Sequence, residues 1–204
     1  MSKDFISHKL IKPNSIEFRE YQVSLANDAK NQNSLVVLPT GLGKTTIALQ
    51  VIADYLSQAK GGVLFLAPTR VLVNQHYEFL KETVLLDDIG IITGEDLISK
   101  RKKLWINSII CATPEITRND LQRQIVSPDQ FSLVIFDEAH RAIGDYAYTA
   151  IASNFSKDVR FLGMTATLPS EKQKAEEITN SLRIRSILQK TDESPDVKPY
   201  IQET

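Results

Sequence analysis

Hydrophobic residues occur along the chain in short, almost unbroken runs, and longer stretches with a helical spacing of apolar positions separate them. The six runs are SLVVLP, GVLFLAP, IGIIT, SIICATP, FSLVIFDE and VRFLGMTA. Runs without apolar–polar alternation are typical of strands that are covered on both faces. The helical stretches span residues 44–58, 71–83, 96–106, 115–124 and 146–155. Strands that alternate with helices predict an α/β fold, a three-layer sandwich around a mostly parallel central sheet.

The pattern weakens after Pro169. The segment SEKQKAEEITNSLRI predicts one polar helix that Ser170 caps, with Glu171 behind it. The last segment, LQKTDESPDVKPYIQET, is polar, contains two prolines and predicts a linker with no closing element. We therefore expect one domain over residues 1–170 and a helix and linker over residues 171–204.

Composition limits the classes of protein to consider. Of 204 residues, 42% are hydrophobic and 24% are charged, as in soluble globular domains. The net charge of −1 means that any contact with nucleic acid must come from local patches. No apolar run approaches a membrane span or a signal peptide, which predicts a cytoplasmic protein. The single cysteine, Cys111, excludes a disulfide framework and is predicted to be a core residue.

A glycine-containing loop follows the first strand. The stretch PTGLGKT leads from SLVVL into an amphipathic helix, and glycines allow backbone N–H groups to turn towards a phosphate. Lys44 can then reach the β- and γ-phosphates, and the Thr45 hydroxyl can bind Mg²⁺. The strict pattern has glycine where this chain has Leu38. The alternative is a turn without a ligand, which Gly-Lys-Thr at a strand–helix junction disfavours.

Two acids end the fifth apolar run. In LVIFDEAH, Asp137 follows Lys44 by 93 positions and is predicted to hold Mg²⁺, usually through water. Glu138 is predicted to accept a proton from an attacking water molecule. An adjacent Asp-Glu pair is a weak signal alone, but an apolar strand that ends in DEAH after such a loop is a strong one.

Six motifs, PTGLGKT, APTRVLVNQH, TGE, ATPE, DEAH and TAT, occur in that order. Over about residues 18–169 the chain resembles the first RecA-like domain of a DEAH-type superfamily 2 helicase. The stretches VVLPTGLGKT, FDEAHRAIGDYAY and SPDVKPY are similar to the archaeal Hef and Fanconi-anaemia M group, ATP-driven translocases that act on forked and branched DNA. The resemblance implies a RecA-like P-loop NTPase fold, with ATP and Mg²⁺ as cofactors. It also accounts for Leu38, because this superfamily often lacks the first glycine.

The resemblance implies roles for individual residues around the nucleotide. Lys44, Asp137 and Glu138 would be catalytic, and Thr45 and Asp137 would hold the metal. Arg19 and Gln22 would contact adenine, although a helix start is the alternative for them. His140 would hydrogen-bond across a domain cleft, and Thr165, Ala166 and Thr167 would couple hydrolysis to motion; the related group usually has serine where Thr167 stands. The residues implied to bind the nucleotide are Arg19, Gln22, Pro39, Thr40, Gly41, Leu42, Gly43, Lys44, Thr45 and Thr46.

Nucleic acid is expected along the opposite rim of the sheet, at residues that follow three of the strands. Hydroxyls, backbone N–H groups and one arginine suit phosphate contact without base readout. Thr113-Pro114 could instead be only a helix start. The residues implied to contact nucleic acid are Pro68, Thr69, Arg70, Thr93, Gly94, Thr113, Pro114 and Glu115.

Other motifs favour structural interpretations. The run from Lys100 to Lys103 is either a solvated helix face or a peripheral patch for the DNA backbone. Trp105 is predicted to pack in the core. Tyr146 and Tyr148 are predicted to pack beneath a helix that Asp145 caps.

The resemblance implies a second RecA-like domain, which supplies arginines that stabilise charge at the transferring phosphate. Its late helicase motif, roughly Q-x-x-G-R-x-x-R, has no match here, because the chain contains no Gly-Arg pair. We therefore expect a piece of a longer DNA translocase with little ATP turnover alone, cytoplasmic or nucleoid-associated. The alternatives are an RNA helicase or duplex-RNA sensor of the same superfamily, and a non-hydrolysing ATP-dependent scaffold. The oligomeric state is left open.

Overall fold

The computed structural model describes residues 3–58 and 61–201. Seven strands and eight α-helices follow one another in this part of the chain. They are α1 (Glu20–Asn31), β1 (Ser34–Val37), α2 (Lys44–Ser57), β2 (Gly62–Leu66), α3 (Arg70–Thr83), β3 (Ile89–Ile92), α4 (Ile98–Leu104), β4 (Ile109–Ala112), α5 (Pro114–Gln122), β5 (Phe131–Asp137), α6 (Ala147–Ser153), β6 (Arg160–Thr165), α7 (Lys172–Ser181), β7 (Ser186–Gln189) and α8 (Lys198–Ile201).

The strands form one sheet in the order β3-β4-β2-β5-β6-β1-β7. All the pairs between these strands are parallel, which confirms the predicted sheet. Because the strands share one direction, the loops that follow β1, β2, β3, β4, β5 and β6 emerge at the same edge. The six helicase motifs, PTGLGKT, APTRVLVNQH, TGE, ATPE, DEAH and TAT, begin at the ends of these strands. The residues expected to contact nucleic acid therefore lie at the same edge as the phosphate loop and not at an opposite rim.

Alternate residues of each strand belong to two hydrophobic cores. Leu133 and Ile135 of β5 pack with residues of α1, α2 and α3. Val134 and Phe136 pack with residues of α5, α6 and α7 on the other face. Both faces of β5 are therefore covered, which explains its seven consecutive buried residues and confirms the three-layer sandwich.

The predicted linker is wrong for the stretch that follows α7. Residues Ser186–Gln189 form strand β7, which pairs in parallel with β1, and Val197 is fully buried. The strand was missed because it lies at the sheet edge with half-exposed and exposed residues in alternation, and Ile187 is 47% exposed. The folded unit therefore extends past residue 170.

Both predicted caps are wrong, and the observed helix ends differ from the predicted ones by a few residues. Helix α7 begins at Lys172 with Glu171 at its N-cap position, so Ser170 does not cap it. Helix α6 begins at Ala147 with Tyr146 at its N-cap position, so Asp145 does not cap it. At neither N-cap does a side chain accept a hydrogen bond, and the packing of the helices fixes where they begin.

The basic run on α4 is divided between solvent and core. Lys100, Lys102 and Lys103 are exposed, whereas Arg101 is buried. Its Nε and Nη2 donate to the two carboxylate oxygens of Asp120 at 2.9 and 3.0 Å. Neither predicted interpretation of the run therefore applies to Arg101, because this bidentate pair fastens α4 to α5.

Several core predictions are confirmed. Trp105 is buried, and its Nε1 donates to Asp120 at 2.8 Å. Tyr148 is fully buried, and Tyr146 packs edge-on against it. Cys111 is also fully buried, and burial raises the pKa of its thiol far above the usual range. None of the helices in the described ranges is long and apolar enough to span a bilayer.

Candidate functional site

The phosphate loop joins the buried end of β1 to the start of α2. Gly41 and Gly43 have φ angles of +88° and +91°, which suit glycine and strain other residues. A Cβ atom at Gly43 would also lie 2.1 Å from Nε2 of Gln22. Backbone N–H groups and the N-terminus of α2 thus meet at Lys44, which is the arrangement that binds phosphate.

Leu38 has a structural role in place of the missing glycine. Its side chain is fully buried, and its carbonyl oxygen accepts a hydrogen bond from Nζ of Lys44 at 2.7 Å. Partial burial lowers the pKa of Lys44, while Asp137 and Glu138 act in the opposite direction. Strands β1 and β5 both pair with β6, where Val36 and Asp137 lie opposite the same residue, Met164, so the phosphate loop and the DEAH motif emerge next to each other.

Asp137 is held by two partners at the end of β5. Its Oδ1 accepts from the backbone N–H of Glu138 at 2.9 Å, and its Oδ2 lies 2.7 Å from Nε2 of His76. His76 comes from α3, and its ring stacks on Phe65 at 4.3 Å. Sequence analysis missed His76 because its partner is 61 positions away, and a histidine on a helix carries little signal alone.

The DEAH motif turns sharply after Asp137. Glu138 has a φ of 53°, which is rare for a residue other than glycine, and its side chain is half-buried. The buried Tyr148 hydroxyl donates to the Asp137 carbonyl at 2.6 Å, and burial raises the pKa of this hydroxyl well above its usual value. Tyr148 therefore supports the backbone from which both acids project.

The predicted coupling residues meet within this domain. His140 was expected to bond across a domain cleft, but here its Nδ1 lies 2.9 Å from Oγ1 of Thr165, and its Nε2 lies 3.5 Å from the Glu138 carboxylate. Thr165 in turn donates to the carbonyl of Thr167 at 2.9 Å. Ala166 lies between the two threonines. A chain of contacts therefore connects the acids after β5 with the loop after β6.

The two residues predicted to contact adenine point in different directions. Nε2 of Gln22 donates to the carbonyl of Leu42 at 3.1 Å, so this amide supports the phosphate loop. Arg19 lines a cavity of about 370 Å³ beside that loop. Its guanidinium lies over the ring of Tyr200, with 4.8 Å between Cζ and the ring centroid.

Most residues predicted to contact nucleic acid line one groove of about 440 Å³, which we call the nucleic-acid groove. Its lining residues are Pro68, Arg70, Thr93, Gly94, Thr113, Glu115, Ile116 and Asn119.

Two predicted contacts are missing from the lining of this groove. The Thr69 hydroxyl accepts from the N–H of Leu72 at 3.2 Å and so caps α3. Pro114 is buried at the first position of α5, so Thr113-Pro114 does begin a helix.

A larger groove of about 860 Å³ lies at the opposite edge of the sheet, where strands β5 and β6 begin. Asp129, Ser132 and Arg160 are among its lining residues, and none of the predicted site residues is. Parallel α/β sheets bind ligands at the carboxyl ends of their strands. The chemistry-bearing motifs of this chain follow that rule, so size alone does not identify the site.

Comparison with known proteins agrees with this geometry. Residues 15–170 match the ResIII family, described as type III restriction enzyme, res subunit. The chain belongs to the ResIII family of helicase domains. This match, two curated relatives and one solved structure together confirm the predicted fold and the resemblance to Hef-like helicases.

Two curated relatives are helicases by name. The ATP-dependent RNA helicase MJ1505 of Methanocaldococcus jannaschii is 44% identical over 200 residues, which cover 97% of this chain and 26% of that protein. The ATP-dependent DNA helicase MPH1 of Saccharomyces cerevisiae is 36% identical over 196 residues, which cover 93% of this chain and 20% of that protein. The chain thus spans about a fifth to a quarter of these relatives.

A solved structure has the same fold. The crystal structure of the Pyrococcus furiosus Hef helicase domain superposes with a TM-score of 0.85 and is 40% identical. The match covers 90% of this chain and 40% of that chain. The fold of this ResIII domain is therefore that of one part of a larger helicase region.

Proposed function

We propose that the ResIII domain is the ATP-binding part of an ATP-dependent DNA helicase or translocase that acts on forked or branched DNA. One observation carries the proposal: the loop with Lys44 and the motif with Asp137 and Glu138 end two strands that both pair with β6, at the sheet edge that also carries the nucleic-acid groove. The name of MPH1 supports DNA as the nucleic acid, and the fold of the Hef helicase domain supports a helicase.

The residues around the phosphate loop fit a nucleoside triphosphate with Mg²⁺. The loop offers backbone donors and the Lys44 ammonium for phosphate, and the Thr45 hydroxyl and Asp137 carboxylate offer oxygen ligands for a hard cation. Mg²⁺ needs only a small number of ligands from the protein, because it keeps several waters and also binds phosphate oxygens. When bound, Mg²⁺ would neutralise charge on the phosphates.

Glu138 would act in proton transfer, and His140 would act in the response of the domain to hydrolysis. Glu138 is half-buried beside Lys44 and would accept a proton from a water molecule that attacks the terminal phosphate. His140 contacts both Glu138 and Thr165, so it would transmit a change at the phosphate to the loop after β6. These roles are proposals for this chain, residue by residue.

The nucleic-acid groove would hold the sugar–phosphate backbone. Arg70 supplies a cation, and Thr93, Gly94 and Thr113 supply hydroxyls and backbone N–H groups at neighbouring strand ends. Such contacts position a strand without reading its bases, which suits an enzyme that moves along many sequences.

An RNA helicase or duplex-RNA sensor is the second candidate. The name of the M. jannaschii relative favours it, and backbone contacts carry little information about the sugar. A competition experiment decides between the two candidates. We expect forked DNA to stimulate the ATPase of the full-length protein, and duplex RNA to compete poorly. Stronger stimulation by RNA would contradict the proposal.

A non-hydrolysing scaffold is a third candidate from another functional class. Lys44, Asp137 and Glu138 are all present, so this domain retains the groups that hydrolysis needs from it. Steady-state phosphate release by the full-length protein tests this point. No release with any nucleic acid, together with normal ATP binding, would favour the scaffold.

A further inference from the structure

The cavity beside the phosphate loop has a wall that the known motifs do not supply. Arg19 and residues of the loop from Pro39 to Leu42 form one side. Asp192, Tyr200 and Ile201 form the other side. This second wall comes from the stretch for which the sequence pattern predicted a linker.

The sheet explains why this stretch reaches the phosphate loop. Strand β7 pairs in parallel with β1, with Gln189 opposite Val37. The N–H of Lys190 then donates to the carbonyl of Val37 at 3.1 Å. The chain after β7 therefore leaves the sheet at the same edge as the phosphate loop, directly beside it.

The same stretch is held in place by contacts within the chain. A turn is closed by the Thr191 N–H, which donates to the Ser194 hydroxyl at 2.9 Å, and by the Ser194 N–H, which donates to the Thr191 carbonyl at 3.1 Å. Val197 is fully buried and belongs to the same core as Leu42. A wall held in this way is preorganised for a ligand.

Tyr200 connects the wall to both the phosphate loop and Arg19. Its ring centroid lies 5.5 Å from that of Tyr21, and the Tyr21 hydroxyl donates to the Leu42 carbonyl at 2.7 Å. The Arg19 guanidinium lies over the Tyr200 ring. Cation–π attraction of this kind restricts the guanidinium and fixes its plane.

These groups match the chemistry of a nucleobase. Planar heteroaromatic rings stack on aromatic side chains and on guanidinium planes. The cavity volume of about 370 Å³ falls in the range of about 300–1,000 Å³ that is usual for small-molecule sites. The cavity also adjoins the loop that suits the triphosphate, as a base at the other end of the same nucleotide requires.

The family resemblance implies that Arg19 contacts adenine, so the base of the bound nucleoside triphosphate would enter this cavity. We propose that Tyr200 is a further base-contacting residue and that it also holds Arg19 in position. This inference rests on the proposed function, because it requires the triphosphate to occupy the phosphate loop. It assigns a ligand contact to the stretch after β7, where SPDVKPY marks the resemblance to the Hef group but was given no role.

The test compares a ligand that has a base with one that lacks it. The affinities of the chain for MgATP and for magnesium tripolyphosphate are measured by calorimetry for the native sequence and for Tyr200→Leu, which keeps apolar bulk but removes the aromatic ring. We expect Tyr200→Leu to weaken MgATP binding about ten-fold, in line with the loss of one base–aromatic stack. Tripolyphosphate binding should be unchanged.

Two further variants serve as matched controls. Tyr200→Phe keeps the ring and should retain native affinity for MgATP. Tyr77→Leu removes a tyrosine that also packs with a cation, Lys81 at 5.3 Å, but on α3 away from the cavity. It should change neither affinity.

Each other outcome overturns a specific claim. The base contact would be refuted if Tyr200→Leu left the affinity for MgATP unchanged. It would also be refuted if this variant bound MgATP and tripolyphosphate more weakly by the same factor. If Tyr200→Leu unfolds the chain, Arg19→Ala replaces it, and equal affinity for MgATP in that variant would refute the proposed base site. Failure of the native chain to bind either ligand would instead refute the proposed nucleotide site itself.

Discussion

Two regions share one edge of the sheet: the phosphate-loop end, with Lys44 and Asp137, and the nucleic-acid groove. They differ in whether other parts of the domain or solvent contact their charged side chains. At the first, Lys44 donates to the Leu38 carbonyl, and Asp137 is paired with the buried His76. In the groove, Arg70 pairs with Glu95, and both side chains are more than half exposed. Internal partners fix Lys44 and Asp137, whereas solvent surrounds the side chains of Arg70 and Glu95.

The difference follows from what each region has to bind. Stabilising charge at a transferring phosphate requires groups that are already in position and need no reorganisation. Gripping a moving nucleic-acid backbone requires cations and N–H groups that can be reached and released. The comparison therefore predicts that substitutions at the two regions affect different properties, in stability as well as in binding.

The largest expected effect concerns the arginines that a second RecA-like domain would supply to the terminal phosphate. An arginine supplied to the terminal phosphate is worth about 10³–10⁵ in rate, and the chain contains no Gly-Arg pair of the kind found in the late helicase motif. We expect the isolated chain to bind MgATP weakly and to release phosphate at a rate near background. The measurement is steady-state ATPase with and without forked DNA. Robust DNA-stimulated turnover by these 204 residues would contradict it.

Removal of the loop lysine should abolish ATP use by the full-length protein. Lys44→Ala deletes a charge-assisted hydrogen bond to phosphate, which is worth a loss in affinity of about 10- to 100-fold. Calorimetry with MgATP measures this loss. Lys30→Ala is the matched control, because Lys30 is also a partly buried lysine with an aspartate partner, Asp54. Unchanged turnover in Lys44→Ala would refute its role.

His76 tests whether the phosphate-loop end depends on internal partners. In His76→Ala, one oxygen of the buried Asp137 loses its partner, which should reduce the free energy of unfolding by about 1–3 kcal/mol. We also expect the full-length protein to need more Mg²⁺ for half-maximal ATPase, because Asp137 is then less well positioned. Urea unfolding and a magnesium titration measure the two effects.

Two variants decide whether this effect is specific. His76→Gln offers an amide donor to Asp137 and should restore most of the magnesium response. His8→Ala removes another histidine–aspartate contact, at 2.8 Å to Asp54, where both side chains are more exposed. It should not alter the magnesium response. Equal magnesium titrations for His76→Ala and the native protein would show that His76 only packs.

The smallest effect on stability is expected in the nucleic-acid groove. Arg70→Ala breaks an exposed ion pair and should change the free energy of unfolding by less than about 0.5 kcal/mol. It should weaken the binding of all DNA sequences equally. The slope of log affinity against log salt concentration should fall in magnitude by about one. Lys172→Ala, which removes an exposed cation near Glu176 on α7, is the control. A salt dependence that is unchanged in Arg70→Ala would remove Arg70 from the interface.

The sequence predicted those parts of the fold that depend on local patterns. Six strands were recognisable because both of their faces are covered, which leaves runs of apolar residues such as that of β5. Strand β7 was missed because one edge of it faces solvent and its residues alternate in exposure. The phosphate loop and the DEAH motif were predictable because their chemistry requires particular residues at fixed spacing.

Contacts between distant residues were not predictable in this way. The His76–Asp137 pair joins α3 to β5. The Arg101–Asp120 pair involves one of four consecutive cations, and nothing in the run itself indicates which one. The Tyr200–Arg19 contact joins two ends of the described chain. In each case the sequence gives the residue types, and only the packing of the sheet and helices determines which of them meet.

The separation of the two regions can be tested most directly by one set of affinities. MgATP and labelled forked DNA are titrated separately into the full-length protein, its Lys44→Ala variant and its Arg70→Ala variant. We predict that Lys44→Ala loses affinity for MgATP and keeps its affinity for DNA, whereas Arg70→Ala loses affinity for DNA and keeps its affinity for MgATP. Equal losses for both ligands in either variant would contradict the account.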